Sequence, residues 1–269
     1  MSVPAAPSPD FRAPSDQVLR LVPVPGFPLV RSGDDLAELI VEGLVRAAVA
    51  LRADDVVVVA QKVVSKAESR SVRLDTVVPS ARAAALAAEI GKDARLVEVI
   101  LSESVRVVRS RPNLLITEHR LGFVMANAGV DHSNVAPPGE PDQVLLLPLD
   151  PDASAARLRE GLAARCGVAP GVVISDSFGR PWRRGTCGVA IGAAGIASLI
   201  DLRGRPDLFG RTLEVTIIAR ADEIAAAAGL LQGQAGEGTP VVLLRGLAAA
   251  APVLPAAALV RPPAEDLFR

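Results

Sequence analysis

The spacing of hydrophobic positions changes several times along this chain, and each change marks an element. Over residues 31–52, RSGDDLAELIVEGLVRAAVALR, apolar positions recur every three to four residues. That is the period of an amphipathic helix, with Ser32 as its expected cap and Asp34 and Asp35 favouring the positive end of the dipole. DDVVVVAQK, residues 54–62, is a β-branched run without polar alternation, which predicts a strand buried on both faces. A helical period returns over 81–104, divided near Gly91, and three strand candidates follow at 104–110, 113–120 and 121–130. Residues 152–167 predict a helix capped by Asp152 or Ser154, leading into the apolar run Val172–Ile174. TLEVTIIA (212–219) and PVVLLRG (240–246) predict two more strands, on either side of a helix over 221–234. Helices and strands mixed without regular alternation predict an α+β fold, mixed sheets with flanking helices.

Composition narrows this picture. Half of the 269 residues are hydrophobic but only 3% are aromatic, so a sizeable core must be built from Ala, Val, Leu and Ile. A net charge of -1 argues against bulk attraction to nucleic acid, although it leaves local clusters open. Cys166 and Cys187 lie far apart in no Cys-x-x-Cys pattern, which predicts a reducing compartment without disulfides or structural zinc. The start has no apolar core behind a basic region, and the longest apolar stretch, 246–260, is broken by Pro252 and Pro255. The expectation is a soluble cytoplasmic protein with no membrane and no nucleic-acid partner. Residues 1–14, rich in Pro, Ala and Ser, are expected to be disordered, 15–247 to form the folded unit, and 248–269 to be an Ala/Pro-rich, loosely packed tail.

Candidate chemistry sits where apolar runs stop. In GVVISDSFGRPWRRG, residues 171–185, a core strand gives way to Ser175-Asp176-Ser177, and Arg180, Arg183 and Arg184 follow. In GVDHSN, residues 129–134, Asp131 follows a strand candidate and a glycine turn. Alone, GVDHSN reads first as a polar turn bonding its own backbone, and only second as a hard-cation site. Two strand-terminal aspartates with nearby hydroxyl and amide oxygens suit a hard divalent cation, and the arginines suit phosphate or form a solvated surface cluster. Lys62 and Lys66 follow a buried strand, which is a common approach to phosphate, yet the chain has no Gly-x-x-x-x-Gly-Lys-Ser/Thr P-loop. LQGQAGEGTP, residues 231–240, places Gly233, Gly236 and Gly238 where backbone amides could face an anion, although such loops are commonly just helix exits. His119 and His132 have no third ligand nearby for zinc, and Cys187 has no histidine partner in view.

Five stretches together resemble the coenzyme F420:L-glutamate ligase family, also called F420-0:γ-glutamyl ligase. They are VPVPGFPLVRSGDDL, VVVVAQKVVSKAESR, LITEHRLGFVMANAGVDHSNV, VVISDSFGRPWRRGTCGVAIGAAG and ARADEIAAAAGLLQGQAGEGTPVVLLRG, in family order across residues 22–246. The resemblance implies a GTP-dependent ligase that adds L-glutamate to the deazaflavin precursor coenzyme F420-0, using Mg²⁺ or Mn²⁺ at two sites, with K⁺ as a helper. By position it implies that Asp131 and Asp176 bind one metal and carry the catalysis, and that Ser177 and Gln234 bind a second. Asn134, Phe27, Pro28, Leu29, Val30, Gln61, Lys62 and Lys66 would contact GTP. So would Gln232, Gly233, Gln234, Ala235, Gly236, Glu237, Gly238 and Thr239. An intertwined homodimer is implied as well. Two rival functions stand beside this one: a ligase for another carboxylate substrate, and a noncatalytic nucleotide-binding subunit.

Overall fold

The computed structural model describes residues 18–135, 139 and 141–267, so the expected disordered segment 1–14 lies outside the described residues. In chain order the first half contains β1 (Arg20–Pro23), α1 (Leu36–Arg46), β2 (Val56–Ala60), α2 (Gln61–Ala67), β3 (Ser71–Arg73), α3 (Ala81–Ile90) and α4 (Ala94–Ser102). Then come β4 (Ser104–Arg111), β5 (Leu114–His119), β6 (Val124–Ala126), β7 (Gln143–Leu145) and α5 (Pro151–Cys166). The last part holds β8 (Gly171–Arg180), β9 (Arg183–Ala194), β10 (Ile200–Asp201), β11 (Ile217–Ile218), α6 (Arg220–Gln232) and β12 (Val241–Arg245). The fold is α+β, with several sheets and flanking helices; of the expected mixed sheets only the five-stranded one is mixed, and the smaller ones are antiparallel.

A five-stranded sheet in the order β1-β12-β2-β8-β9 organises the molecule. Only the β2–β8 pair is parallel; the other neighbours run antiparallel. Alternate residues explain why its strands lack polar alternation. Val57, Val59, Val172, Ile174 and Leu243 pack with Ile40 and Leu44 of α1 and Leu158 and Leu162 of α5. Val56, Val58, Val173, Val242 and Leu244 pack on the other face against Ala221, Ile224, Ala225 and Ala228 of α6. Each fully buried Val, Leu or Ile contributes about 1.5–3 kcal/mol, so both faces favour the same residue class. A second layer sets α3 and α4 on the β4-β5-β6 sheet, through Ala83, Ala87, Ile90, Val97, Ile100 and Leu115. Gly91 divides the two helices as expected, its φ of +73° ending α3 in the left-handed conformation. Beside this layer, buried Glu103 accepts from Arg70 and Arg120, both at 2.9 Å, which explains a carboxylate in the interior.

Several local expectations are corrected by tertiary contacts. Asp35, not Ser32, caps α1, accepting from Glu38 N at 3.1 Å, while Ser32 Oγ meets Ser69 Oγ at 2.5 Å. Asp150 caps α5, accepting from Ala153 N at 3.0 Å. Ser154 instead donates to Glu68 Oε1 at 2.5 Å. The strand expected over 121–130 shrinks to β6, because Asn127, Ala128 and Gly129 all take positive φ and turn the chain. The strand expected over 212–219 shrinks to β11.

Asp152 has a different task from capping. Its Oδ1 accepts from Ala193 N and Ala256 N, both at 2.7 Å, and its Oδ2 from Ala257 N at 3.0 Å. Segment 248–267 is therefore bound to the body rather than loosely packed: Ala256 is fully buried and Leu254 bridges Ala197. Asp152→Ala leaves two N–H groups of buried residues without acceptors, each costing about 1–3 kcal/mol. The expected outcome is a lower thermal midpoint together with faster proteolysis between residues 248 and 260, read by mass spectrometry. Unchanged proteolysis would show that the carboxylate does not hold the segment.

Candidate active site

The parallel pair β2–β8 positions the site. Its register ends at Ala60 opposite Ser175, so the carboxyl ends of both strands open on one side, the usual place for a ligand where parallel strands end. Beyond Ala60 the chain turns at once into α2, which sets Lys62 and Lys66 one turn apart on one face. Strand β8 does not stop at Asp176, as its sequence suggested. It runs on to Arg180 as a ribbon paired with β9 alone, and Asp176 is the first residue past the β2 pairing. A bulge at Ile191 of β9 falls at the same level, Ile174 facing Gly192 and Ser175 facing Ala190. Asp131 arrives from the left-handed turn at 127–129 and is fixed by paired backbone bonds with Leu145, 2.9 and 2.8 Å.

These pieces enclose a cavity of about 440 Å³. Every residue singled out by resemblance lines it: the Phe27–Val30 segment, Gln61, Lys62, Lys66, Asp131, Asn134, Asp176, Ser177 and the loop from Gln232 to Thr239. Ser133, Ser175 and Gly188 join them. At Gly188 a Cβ would lie 2.4 Å from the Ala225 carbonyl oxygen, so glycine lets α6 approach the wall. Asn134, at φ +55°, donates from Nδ2 to Ala235 O at 2.9 Å and ties the 131–134 loop to the glycine loop. Gln61 is buried, its Oε1 accepting from Ser65 Oγ at 2.9 Å. Arg180, Arg183 and Arg184 do not line the cavity; they are exposed on the β8–β9 ribbon, and Arg180 bonds Gly185 O at 3.3 Å. The three arginines therefore lie on surface outside this cavity.

Charge inside the cavity is unevenly compensated. Lys62 Nζ lies 2.7 Å from Asp131 Oδ2, and Ser133 donates to Asp131 Oδ1 from N at 2.9 Å and from Oγ at 2.8 Å. Burial would raise the Asp131 carboxyl, but Lys62 and Ser133 outweigh it and hold it below the ordinary carboxylate range. Asp176 accepts only from the neighbouring Ser177 N, at 2.8 Å, and no side-chain cation pairs with it among the described residues. Burial pushes its carboxyl up to about 7; the Ser177 N–H opposes the rise, the Asp131 charge adds to it and the Lys62 charge opposes it. Lys66 is lowered by burial and by the charge of Lys62, against the pull of Asp131, and its Nζ donates to Asn134 O at 2.6 Å.

Comparison with known proteins settles the kinship. The sequence model of the F420-0:Gamma-glutamyl ligase family matches residues 26–246. The chain belongs to the F420-0:gamma-glutamyl ligase family. It is 50% identical over 258 residues to the coenzyme F420:L-glutamate ligase of Methanopyrus kandleri, covering 93% of this chain and 98% of that protein. The ligases of the same name from Methanothermobacter thermautotrophicus and Archaeoglobus fulgidus are 43% and 47% identical. Those matches cover 93% and 85% of this chain and 99% and 88% of the two relatives. No described helix is long and apolar enough to cross a membrane.

Within this family's cavity the donor set fits a divalent cation. Asp131, Asp176, Ser177 and Gln234 offer oxygens only, as Mg²⁺ and Mn²⁺ prefer. The fit rests on Asp176, whose carboxyl accepts only from Ser177 N and has no directly paired cation among the described residues. Among the described residues there is no cluster of three or more His, Cys, Asp or Glu side chains, so hydroxyl and amide oxygens would have to complete any site. Sequence reasoning missed the Lys62–Asp131 ion pair and took Lys62 and Lys66 for a strand exit rather than a helix. Their four-residue spacing was the available signal.

A pH dependence follows from Asp176. Its folded value, about 7, exceeds the ordinary 3.8, so its contribution to stability is complete below about 4 and is lost as pH rises through 7. Asp222, also raised by burial, acts with the same sign, and Asp176→Asn separates the two. Without divalent cations the thermal midpoint should fall between pH 5 and pH 8, and less steeply in Asp176→Asn. If Asp176 holds a cation, added Mn²⁺ should stabilise the wild type more at pH 8 than at pH 6, because a carboxyl must lose its proton to bind it. A flat metal-free profile in the wild type would remove Asp176 as the uncompensated group.

Proposed function

We propose that this ligase forms an amide between L-glutamate and coenzyme F420-0 in coenzyme F420 biosynthesis, with GTP as phosphoryl donor and γ-glutamyl links in the product. The observation that carries the reading is one cavity holding two ammonium groups, three carboxylates (Asp131, Asp176 and Glu237) and a glycine loop where the parallel pairing of two strands ends. A nucleotide triphosphate and a carboxylate must approach each other there, and their repulsion opposes attack unless cations offset it. Lys62 and Lys66 supply part of that charge, and the Gln232–Thr239 loop would turn backbone N–H groups to phosphate once the Glu237 carboxylate, which now accepts from Ala235 N at 2.8 Å, gives way. Asp131, Asp176, Ser177 and Gln234 would hold Mg²⁺ or Mn²⁺, which supplies charge neutralisation for the phosphates, with K⁺ as an added helper.

In the proposed sequence a carboxylate oxygen of the acceptor attacks the γ-phosphorus. The bond from that phosphorus to the β–γ bridging oxygen breaks, and GDP leaves. The glutamate amine then attacks the acyl carbon of the acyl phosphate, the C–N bond forms, inorganic phosphate departs and the amine proton is released. GDP release measured with glutamate and coenzyme F420-0 present together or singly tests the proposal. Release that requires both supports it; release with a different acid points to another ligase, and no turnover points to a binding subunit. We propose a homodimer too. Leu208 and Phe209, 86% and 90% exposed between β10 and β11, support it as apolar surface for a second copy. A monomer mass by light scattering in an active preparation would exclude it.

A further inference from the structure

The Lys62 ammonium is engaged on three sides. It lies 2.7 Å from Asp131 Oδ2, 2.7 Å from Ser133 Oγ and 3.1 Å from Ser133 O. Carboxylate, hydroxyl and carbonyl form the kind of oxygen set that binds a hard cation, and here the three donors of one lysine fill it. We propose that Lys62 is a resident counter-ion at the Asp131 metal position, which it yields when a divalent cation loads, its ammonium then turning to the nucleotide phosphates.

The exchange follows from charge and reach. A divalent cation and an ammonium on the same carboxylate repel each other strongly in a partly buried site. Lysine is a hydrated point charge on a flexible stem, so Lys62 leaves without moving α2. Once displaced it remains inside the cavity, one helical turn from Lys66. Lys66 is already engaged on the same loop through Asn134 O, at 2.6 Å. Phosphate oxygens are the natural acceptors for the released ammonium, so metal and nucleotide each raise the affinity for the other, as linkage requires. Lys62 is thus a positioning residue that keeps Asp131 ionised and neutralised until the divalent cation arrives. This inference rests on the reading of Asp131 as a metal ligand.

The test compares Mn²⁺ binding to the nucleotide-free wild type, Lys62→Met and Asp131→Asn, read by electron paramagnetic resonance of free Mn²⁺. Lys62→Met should bind Mn²⁺ about ten- to a hundredfold more tightly, the effect of removing one charge-assisted competitor. A merely structural role would give weaker binding, so the sign discriminates. Equal or weaker binding by folded Lys62→Met overturns the exchange. In the unaltered protein, reductive methylation of Lys62, mapped by mass spectrometry, should accelerate with Mn²⁺ and slow again when GTP is added. A rate indifferent to Mn²⁺ overturns it without recourse to a variant. Mn²⁺ binding that ignores Asp131→Asn would instead remove the underlying reading, whatever Lys62 does.

Discussion

Asp176→Asn is expected to lower the ligation rate by about a hundredfold or more while the protein stays folded, and at pH 8 without divalent cations to unfold at a higher temperature than the wild type. The two halves have one cause. Asp176 is the first residue of β8 beyond its pairing with β2, and it accepts only the Ser177 N–H. Ionised, it is a half-buried charge with no directly paired cation, and its loss of water raises its carboxyl to about 7 against the Ser177 N–H and the Lys62 charge. Asparagine has nearly the same shape and removes that charge, so the metal-free fold gains. The same change replaces a carboxylate by an amide, a poorer ligand for a hard divalent ion. Losing one preorganised electrostatic group at a reacting centre costs about 10²–10³ in rate. Glutamate-dependent GDP release and thermal unfolding of one preparation measure both. Retained activity at saturating Mg²⁺ would end the metal assignment, and an unchanged midpoint at pH 8 would end the electrostatic one.

Lys66→Ala is expected to raise the GTP dissociation constant by one to two orders of magnitude and to change the acceptor constant little. The side chain projects from α2 into the cavity, where burial and the neighbouring Lys62 lower its pKa. A cation held in that environment gains most from an incoming anion. A charge-assisted contact to phosphate is worth about 1.5–3 kcal/mol, which sets the size of the shift. Its present acceptor, Asn134 O, belongs to an exposed residue that water can satisfy, so the substitution leaves no buried group unpaired. Calorimetric titration with GTP, beside steady-state measurement of the acceptor, distinguishes the outcomes. An unchanged GTP constant with a weaker acceptor constant would move Lys66 to the other substrate.

Much of the fold was legible in the sequence, because periodicity reports which faces are buried. The β-branched runs at 56–59 and 172–174 could only be strands covered on both sides, and α1 and α6 cover them. Gly91 had to end a helix. The order of the motif blocks also fixed the membership, and every residue it pointed to lines one cavity. What the sequence left open depends on contacts between distant positions. Nothing local distinguishes Asp150 from Asp152 as the cap of α5; the choice is made by Ala193, Ala256 and Ala257, whose N–H groups claim Asp152. The strand carrying Asp176 continues past it, because pairing with β9 outlasts pairing with β2. Lys62 meets Asp131 and Ser133, the latter 71 positions away, only once α2 and the turn at 127–129 are placed side by side. Local pattern fixes burial and element type; pairing register and tertiary approach decide which polar groups meet, and therefore which carboxylate is paired with a lysine and which is not.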